Sequence, residues 1–366
     1  MHPMIKPALR RGWRDRQTVQ YGVTAAHALL LGPVDNATAA LLDLFDGTRS
    51  MDQLRNEARR LGVRPEKADH IAERLALQGA LDDATYDREA SASIGEGLRA
   101  DLASLTAVHR GPGSGVRRLS ARRHVKVQVR GAGKVGASVA ATLSAAGVGQ
   151  VEVVDGGVVE PWDTSPAGLS PEQVGSRRDA AARSVVRRTK QAKGGTQSPV
   201  SLVIVTPRDG LDAFAPDPRA NERFVAAGTP HLFGGVVEGT GVVGPLVLPG
   251  RSPCAECLLR ANAVREPSWP LVVGQWRTAA RRRAGVPPCD TALATLVSGA
   301  VTSHALSFVD GDGACCAGYR MRFTLPHLLS DTDLVAPHPE CPCGAASVPE
   351  EAEADHPALS TPTMAG

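Results

Sequence analysis

The chain has 366 residues, 42% of them apolar, enough for two or three ordinary domains with a sizeable core. Lys and Arg total 41 against 38 Asp and Glu, a formal charge of +3, which is too balanced to argue for nucleic acid by itself. No run approaches the about 18 consecutive apolar residues of a membrane helix, and the N-terminal MHPMIKPALRRGW lacks the apolar core of a signal peptide. The cytoplasm is therefore the default compartment, where seven cysteines point to metal or catalysis before disulfides. Basic clusters at Arg10–Arg16, Arg177–Lys193 and Arg281–Arg283 read as solvated faces.

Residues 1–88 are expected to form a small domain. Two extended runs, Thr18–Val23 and His27–Leu31, flank a turn. Asp35 or Asn36 can cap a helix whose apolar face is Ala37, Leu41, Leu44 and Phe45. Ser50 with Gln53 makes a capping box for a second helix bearing Leu54, Ala58 and Leu61. Pro65 suits the first turn of a third, with Ala68, Ile71 and Leu75, and Ala80–Leu81 can return as a wing. Hairpin, three helices and wing read together as a winged helix-turn-helix. A linker over 89–121 holds one helix near Ile94–Val108 and then a flexible GPGSG run, 111–115. The nucleotide-fold domain is expected over 122–344, and the acidic, Pro/Ala-rich tail 345–366 is expected to be disordered.

His124–Val129 is a β-rich run leading into GAGKVG, so Gly131, Gly133 and Gly136 give G-x-G-x-x-G. Lys134–Ala146 reads as a helix, and Val151–Val154 as a second strand ending on Asp155, 19 residues after Gly136. Strand, glycine turn, helix, strand and acid form the arrangement that binds nucleotides. The first glycine allows the turn, the second lets phosphate approach, the helix N-terminus favours negative charge, and Asp155 is placed for ribose hydroxyls. The fold class is thus α/β, a Rossmann-like unit behind a winged helix. Farther on, Cys254-x-x-Cys257 and Cys341-x-Cys343 make two close thiolate pairs, suited to one closed tetrahedral zinc site; two unrelated reduced pairs are the alternative. Cys315-Cys316 read as the inner and outer face of a strand. Cys289 precedes Asp290 at the start of a long apolar helix, Thr291–Phe308, where a helix dipole can stabilise a thiolate; a small apolar residue beside the cap is the plainer reading. His231 and His304 read as core, and Trp162, Trp269 and Trp276 as packing or a groove wall.

GAGKVG, the strand ending at Asp155, the distal C-x-x-C and the final cysteine pair together resemble the ThiF/MoeB/HesA-like, ubiquitin-activating-type superfamily over residues 122–344. The segment PGRSPCAECLLRANAVREPSWPLVVGQW and the end HPECPCG are similar to its actinobacterial branch associated with cyclodehydratases. The N-terminal unit resembles a PqqD-like peptide recognition element, which binds a leader peptide by adding a strand to its hairpin edge. The resemblance implies ATP with magnesium, structural zinc, a homodimer, and adenylation of the C-terminal carboxylate of a peptide or small protein. It places Gly131, Gly133, Gly136, Asp155, Asp163 and Arg178 at the nucleotide, and makes Arg178, Asp209 and Cys289 the candidates for chemistry.

The chain departs from that pattern in its charges. The Arg-Tyr-x-Arg-Gln-like segment is missing from 99–124, Gly157 replaces a second acid, Pro166 falls where an arginine belongs, and Pro207 stands for the magnesium-holding aspartate. The stretch from Thr189 to Ser201 is too short for a full strand-and-helix repeat. Each lost charge element commonly costs about 10²-fold or more in rate. The expectation is a degenerate adenylating domain that binds a leader peptide or small protein and presents it to a partner modifying enzyme. The alternatives are an active adenylyltransferase, a winged-helix DNA regulator and, last, an NAD-dependent dehydrogenase. The balanced charges of the second and third helices disfavour DNA.

Overall fold

The computed structural model describes residues 1–86, 94–191, 199–282, 285–313 and 316–347. The readings placed on Cys315 and on the tail from 348 onward fall outside these residues.

In the N-terminal unit, β2 (Arg11–Trp13), β3 (Val19–Tyr21) and β4 (Leu29–Leu31) form an antiparallel three-stranded sheet. Alternation puts Val19, Tyr21, Leu29 and Leu31 on its buried face. Helix α1 (Asn36–Asp43) is capped by Asp35, whose carboxylate accepts from the Thr38 amide at 2.7 Å. Helix α2 (Met51–Arg60) opens on the expected Ser50/Gln53 box, and α3 (Glu66–Leu77) follows Pro65. Leu41, Leu42, Leu54, Ala58, Ala68 and Leu75 close over the sheet as one core. The run expected as a wing is instead β5 (Leu81–Asp83), antiparallel to an N-terminal strand β1 (Pro3–Ile5). No periodicity marks a three-residue strand, so β1 and β2 were not legible beforehand. The basic residues of α2 and α3 are largely paired within the unit, Arg55 to Asp69 and Asp52, Arg60 to Glu57, Lys67 to Asp35.

Two helices, α4 (Arg99–Val108) and α5 (Ser114–Arg122), fill most of the stretch read as linker. The GPGSG run is a built turn rather than a flexible one. Gly113, at φ +69°, donates its amide to Asp82 Oδ1 at 2.6 Å, and α5 begins at the next residue. Lys6, buried, donates Nζ to the His109 carbonyl at 2.6 Å. Arg118 and Arg122 then reach Asp312 and Asp310 in the second half of the chain, at 2.9 and 2.6 Å. A line of polar contacts therefore joins the N-terminal unit to the large domain.

That domain is a seven-stranded mixed sheet in the order β12-β11-β10-β9-β8-β6-β7. β6 (Lys126–Arg130), β7 (Gln150–Val154), β8 (Val200–Val205) and β9 (His231–Val237) run parallel. β10 (Thr240–Val247), β11 (Tyr319–Thr324) and β12 (Leu329–Leu334) continue antiparallel. Helix α6 (Lys134–Ala145) lies between α7 (Arg178–Thr189) and α12 (Thr291–Val309). Its Gly, Ala, Ser and Val side chains are short enough for all three helices to approach closely, and most of them are buried. Helices α8 (Leu211–Phe214), α9 (Pro218–Ala226), α10 (Ala255–Arg265) and α11 (Trp269–Arg282) complete the domain. Among the described residues no strand lies between α7 and β8, so β7 is the last strand of the sheet. Among the described residues one helix, α12, is long and apolar enough, by length and composition, to cross a membrane. It packs on α6, β9 and β10 through Leu293, Ala294, Val297 and Val301.

Candidate functional site

β6 ends in the glycine turn that opens α6. Gly131 has φ +105°, and a Cβ there would lie 1.9 Å from the Thr206 carbonyl. A Cβ on Gly136 would lie 2.0 Å from the Gly131 carbonyl. Both glycines are demanded by the chain's own packing. Gly133 is different: its added Cβ would first meet Arg208 Cγ, at 3.2 Å.

Asp155 follows β7 and closes the turn, its Oδ2 accepting from the Ala132 amide at 2.5 Å and its Oδ1 from Arg178 Nε at 3.1 Å. Arg178, the first residue of α7, also donates to the Gly156 carbonyl at 2.7 Å and to Asp163 at 3.0 Å. Asp163 is only 2% exposed in its side chain and accepts a further bond from Arg208 Nε at 2.6 Å. The Arg208 guanidinium stands 5.8 Å from the centre of the Trp162 ring. Two carboxylates and two guanidiniums thus form one linked, electrically neutral chain, Asp155–Arg178–Asp163–Arg208, beside the glycine turn.

A second cluster ties the chain's end to its middle. Cys254 caps α10 and Cys257 lies in its first turn, while Cys341 and Cys343 follow β12. The four Sγ atoms all lie within 4.8 Å of one another, with Cys254–Cys257 at 3.9 Å and Cys254–Cys341 and Cys257–Cys343 both at 3.6 Å. Metal–sulfur bonds of about 2.3 Å in a tetrahedron require sulfur–sulfur edges of about 3.8 Å. The cluster can hold a metal ion. Hydrogen bonding from Cys254 brings the Cys257 thiol down to about 4, and burial pushes Cys341 up to about 11.

A third feature belongs to the N-terminal unit. Among the described residues β4 pairs on one side only, with β3, and a groove of about 860 Å³ lies past its end, between the start of α1, the α2–α3 turn and α3. Leu31, Val34, Val63 and Ile71 line it, with Arg64 and Lys67 at its rim.

Residues 111–193 match the ThiF family. The whole fold is also similar to solved ThiF-like structures. E. coli MccB with ATP is 14% identical, covering 94% of this chain and 100% of that chain, with a TM-score of 0.70. The microcin C7 biosynthetic enzyme MccB in complex with N-formylated MccA is 13% identical with the same coverage and a TM-score of 0.69. PaaA is 12% identical, covering 90% of this chain and 99% of that one, with a TM-score of 0.65. No curated protein matches the sequence.

Within the ThiF-like domain the remaining candidates fall as follows. Asp209 accepts from the Leu211 amide at 3.2 Å and lines an open cleft of about 1360 Å³ with Arg208, Phe214, Val237, Leu271 and Trp276. Trp269 packs edge-on against Trp276 at 5.7 Å, so the tryptophans do both things expected of them. Cys289 is half-buried beside the turn, where Lys134 Nζ donates to its carbonyl at 3.2 Å and to Thr291 Oγ1 at 2.9 Å. Of the two readings of Cys289, the surroundings favour the small apolar residue beside the cap. The α12 N-terminus is already capped by Asp290, which accepts from the Leu293 amide at 2.9 Å, and burial pushes the Cys289 thiol up despite Lys134. His231 is fully buried, between Phe224 and Phe233. Sequence reasoning missed Arg208 as the fourth member of the charge network. Its only signal was a cation directly after Pro207.

Proposed function

We propose that this chain is a degenerate ThiF-type protein that binds a leader peptide or small protein and presents it to a separate modifying enzyme. The observation that carries the reading is the chain of ion pairs through Asp155, Arg178, Asp163 and Arg208. A nucleotide triphosphate needs surplus cations, and this set sums to zero. Freeing Arg178 for phosphate would leave Asp163 buried with one partner fewer, and breaking a buried ion pair costs about 3–5 kcal/mol. Pro207 has no carboxylate for magnesium, and Asp209 is turned to its own loop. The residues present therefore do not fit ATP with magnesium as a catalytic pair.

Binding is supported by other parts of the chain. MccB, which shares the fold, has been solved with MccA and with ATP. The open β4 edge suits an extended peptide that adds a strand to the sheet, with the mixed polar and apolar groove past the end of β4 as a place for its side chains. In this reading the N-terminal unit is a PqqD-like recognition element of the actinobacterial cyclodehydratase-associated type, and the chain works as a homodimer. The four cysteines suit zinc in a closed structural site, since all four ligand positions are protein sulfur. The ion would hold the residues after β12 against α10 and take no part in chemistry.

Calorimetric titration of the zinc-replete protein with ATP and magnesium tests the reading, with Asp155→Ala as control. No binding at millimolar ATP is the expected result. Binding that the Asp155→Ala variant loses would instead favour an active adenylyltransferase, the reading to which the intact glycine turn and Asp155 lend support. Pyrophosphate exchange would then be the deciding assay.

A further inference from the structure

We propose that the acidic run Glu350–Asp355 of this chain's own C-terminal tail docks on a basic notch made by Arg130 and Arg223 around Phe224, at the border of a half-face of the sheet that α9 leaves bare. The proposal goes beyond the binding reading above and does not depend on what the glycine turn does with nucleotide.

The two faces of the parallel strands are finished differently. On one, Val127, Val129, Val151 and Val153 pack into the core with α6 and α7. Alternation along β6 and β7 puts Lys126, Gln128, Arg130, Glu152 and Val154 on the other. Helix α9 covers this second face over β8, where Val225 and Val205 pack on the cysteine cluster, and its cover ends at Phe224. Beyond that ring the Glu152 side chain is 42% exposed and Val154 is 38% exposed.

Phe224, itself buried, marks the border between the covered and the bare halves. The Arg130 guanidinium lies 5.2 Å and that of Arg223 4.8 Å from its ring centre. Arg130 Nε donates to Gln128 Oε1 at 2.8 Å, and among the described residues neither arginine forms an ion pair. Burial and the nearby charge of Arg223 both push the Arg130 pKa down, against the pull of Glu152. Two cations are thus held on one ring with too little negative charge between them.

The end of the chain supplies that charge. Cys343 belongs to the cluster on which Val205 and Val225 pack, so the chain leaves the four cysteines on this side of the sheet, beside α9. After Ser347, the last described residue, comes VPEEAEADHPALSTPTMAG, with Glu350, Glu351, Glu353 and Asp355 and no lysine or arginine. From Ser347 to Asp355 an extended chain reaches about 28 Å, ample to pass a helix about 10 Å across. Exposed ion pairs are individually weak. A tether of this length raises the effective concentration of the acids to the millimolar range, which lets several weak pairs hold together.

The test is zero-length cross-linking in the full chain. Arg223→Lys keeps the charge and supplies an amine that a carbodiimide joins to a carboxylate in contact with it. Lys126 and Glu152, 3.3 Å apart, give the internal standard for a folded sheet. Peptide mass spectrometry on an equal mixture of ¹⁵N-labelled and unlabelled Arg223→Lys chains is expected to find position 223 joined to the 350–355 run within one chain. Adding Arg130→Ser should lower that yield about threefold or more relative to the standard. The standard product without any product between position 223 and the tail would overturn the proposal. So would products that join labelled to unlabelled chains alone, which would give the tail to a second copy. A yield unmoved by Arg130→Ser would reduce the contact to mere proximity and overturn the notch.

Discussion

Asp163 shows how far a single position can be read before a structure is known. Its neighbourhood in sequence, DGGVVEPWDTSPAGL, placed it near the nucleotide, and the fold puts it within one ion pair of Asp155's own partner. Its burial and its second cation were invisible, because they depend on a loop 45 residues away. The arrangement makes Arg178→Ala costly: Asp155 loses its salt bridge and Asp163 keeps only Arg208, so urea unfolding should report a loss of about 3–5 kcal/mol. His231 carries the pH dependence at this scale. Burial lowers its pKa from the ordinary 6.5, so the folded state holds it neutral while the unfolded chain takes up a proton. Stability from this residue is fully present above about pH 6.5 and falls as pH drops below it toward the lower folded value. Denaturant midpoints between pH 7 and 5 should fall less steeply for His231→Phe, whose ring suits the space between Phe224 and Phe233.

At the scale of elements, local rules served wherever the signal was local. The Ser50/Gln53 box, the Asp35 cap and the strand–glycine–helix–strand run all lie where their chemistry said they would. Three-residue strands failed because pairing, not propensity, makes them: β1 exists only through β5 and the chain's return past Asp46. The cysteine pairs were legible as pairs from spacing. That they meet was a matter of tertiary structure, since Cys254 and Cys341 stand 87 residues apart. Metal at this cluster would substitute for a hydrophobic anchor at the end of β12. Treatment with a strong chelator, or Cys254→Ser, should reduce bound metal from about one per chain to none and lower the melting temperature by roughly 5–10 °C. Elemental analysis and calorimetry on the same sample would check both.

Across the whole molecule, specific contacts run through the segment read as a linker. Residues read as a flexible joint carry Asp82–Gly113 and Lys6–His109 on one side and Arg118–Asp312 and Arg122–Asp310 on the other. Burial lowers the Lys6 amine's pKa, with Asp82 opposing, so this joint is a place where charge is kept only by its partners. The wild type should melt in a single transition. A Lys6→Ala, Asp82→Ala double variant should separate it into two, the N-terminal unit first, when followed by scanning calorimetry.

The same view of the whole gives the final strand of the sheet a further meaning. β7 reads QVEVV and, among the described residues, is paired only on its β6 side. An unpaired strand of that composition is a template on which other chains can stack into cross-β aggregates. What stands guard is Glu152, mid-strand, joined to Lys126 at 3.3 Å and to Gln128 at 3.2 Å. Glu152→Val would leave an uncharged, β-branched rim, and light scattering at high concentration should then rise well before any change in the melting temperature. An edge of this kind is a colloidal liability, and Glu152 is the carboxylate set against it.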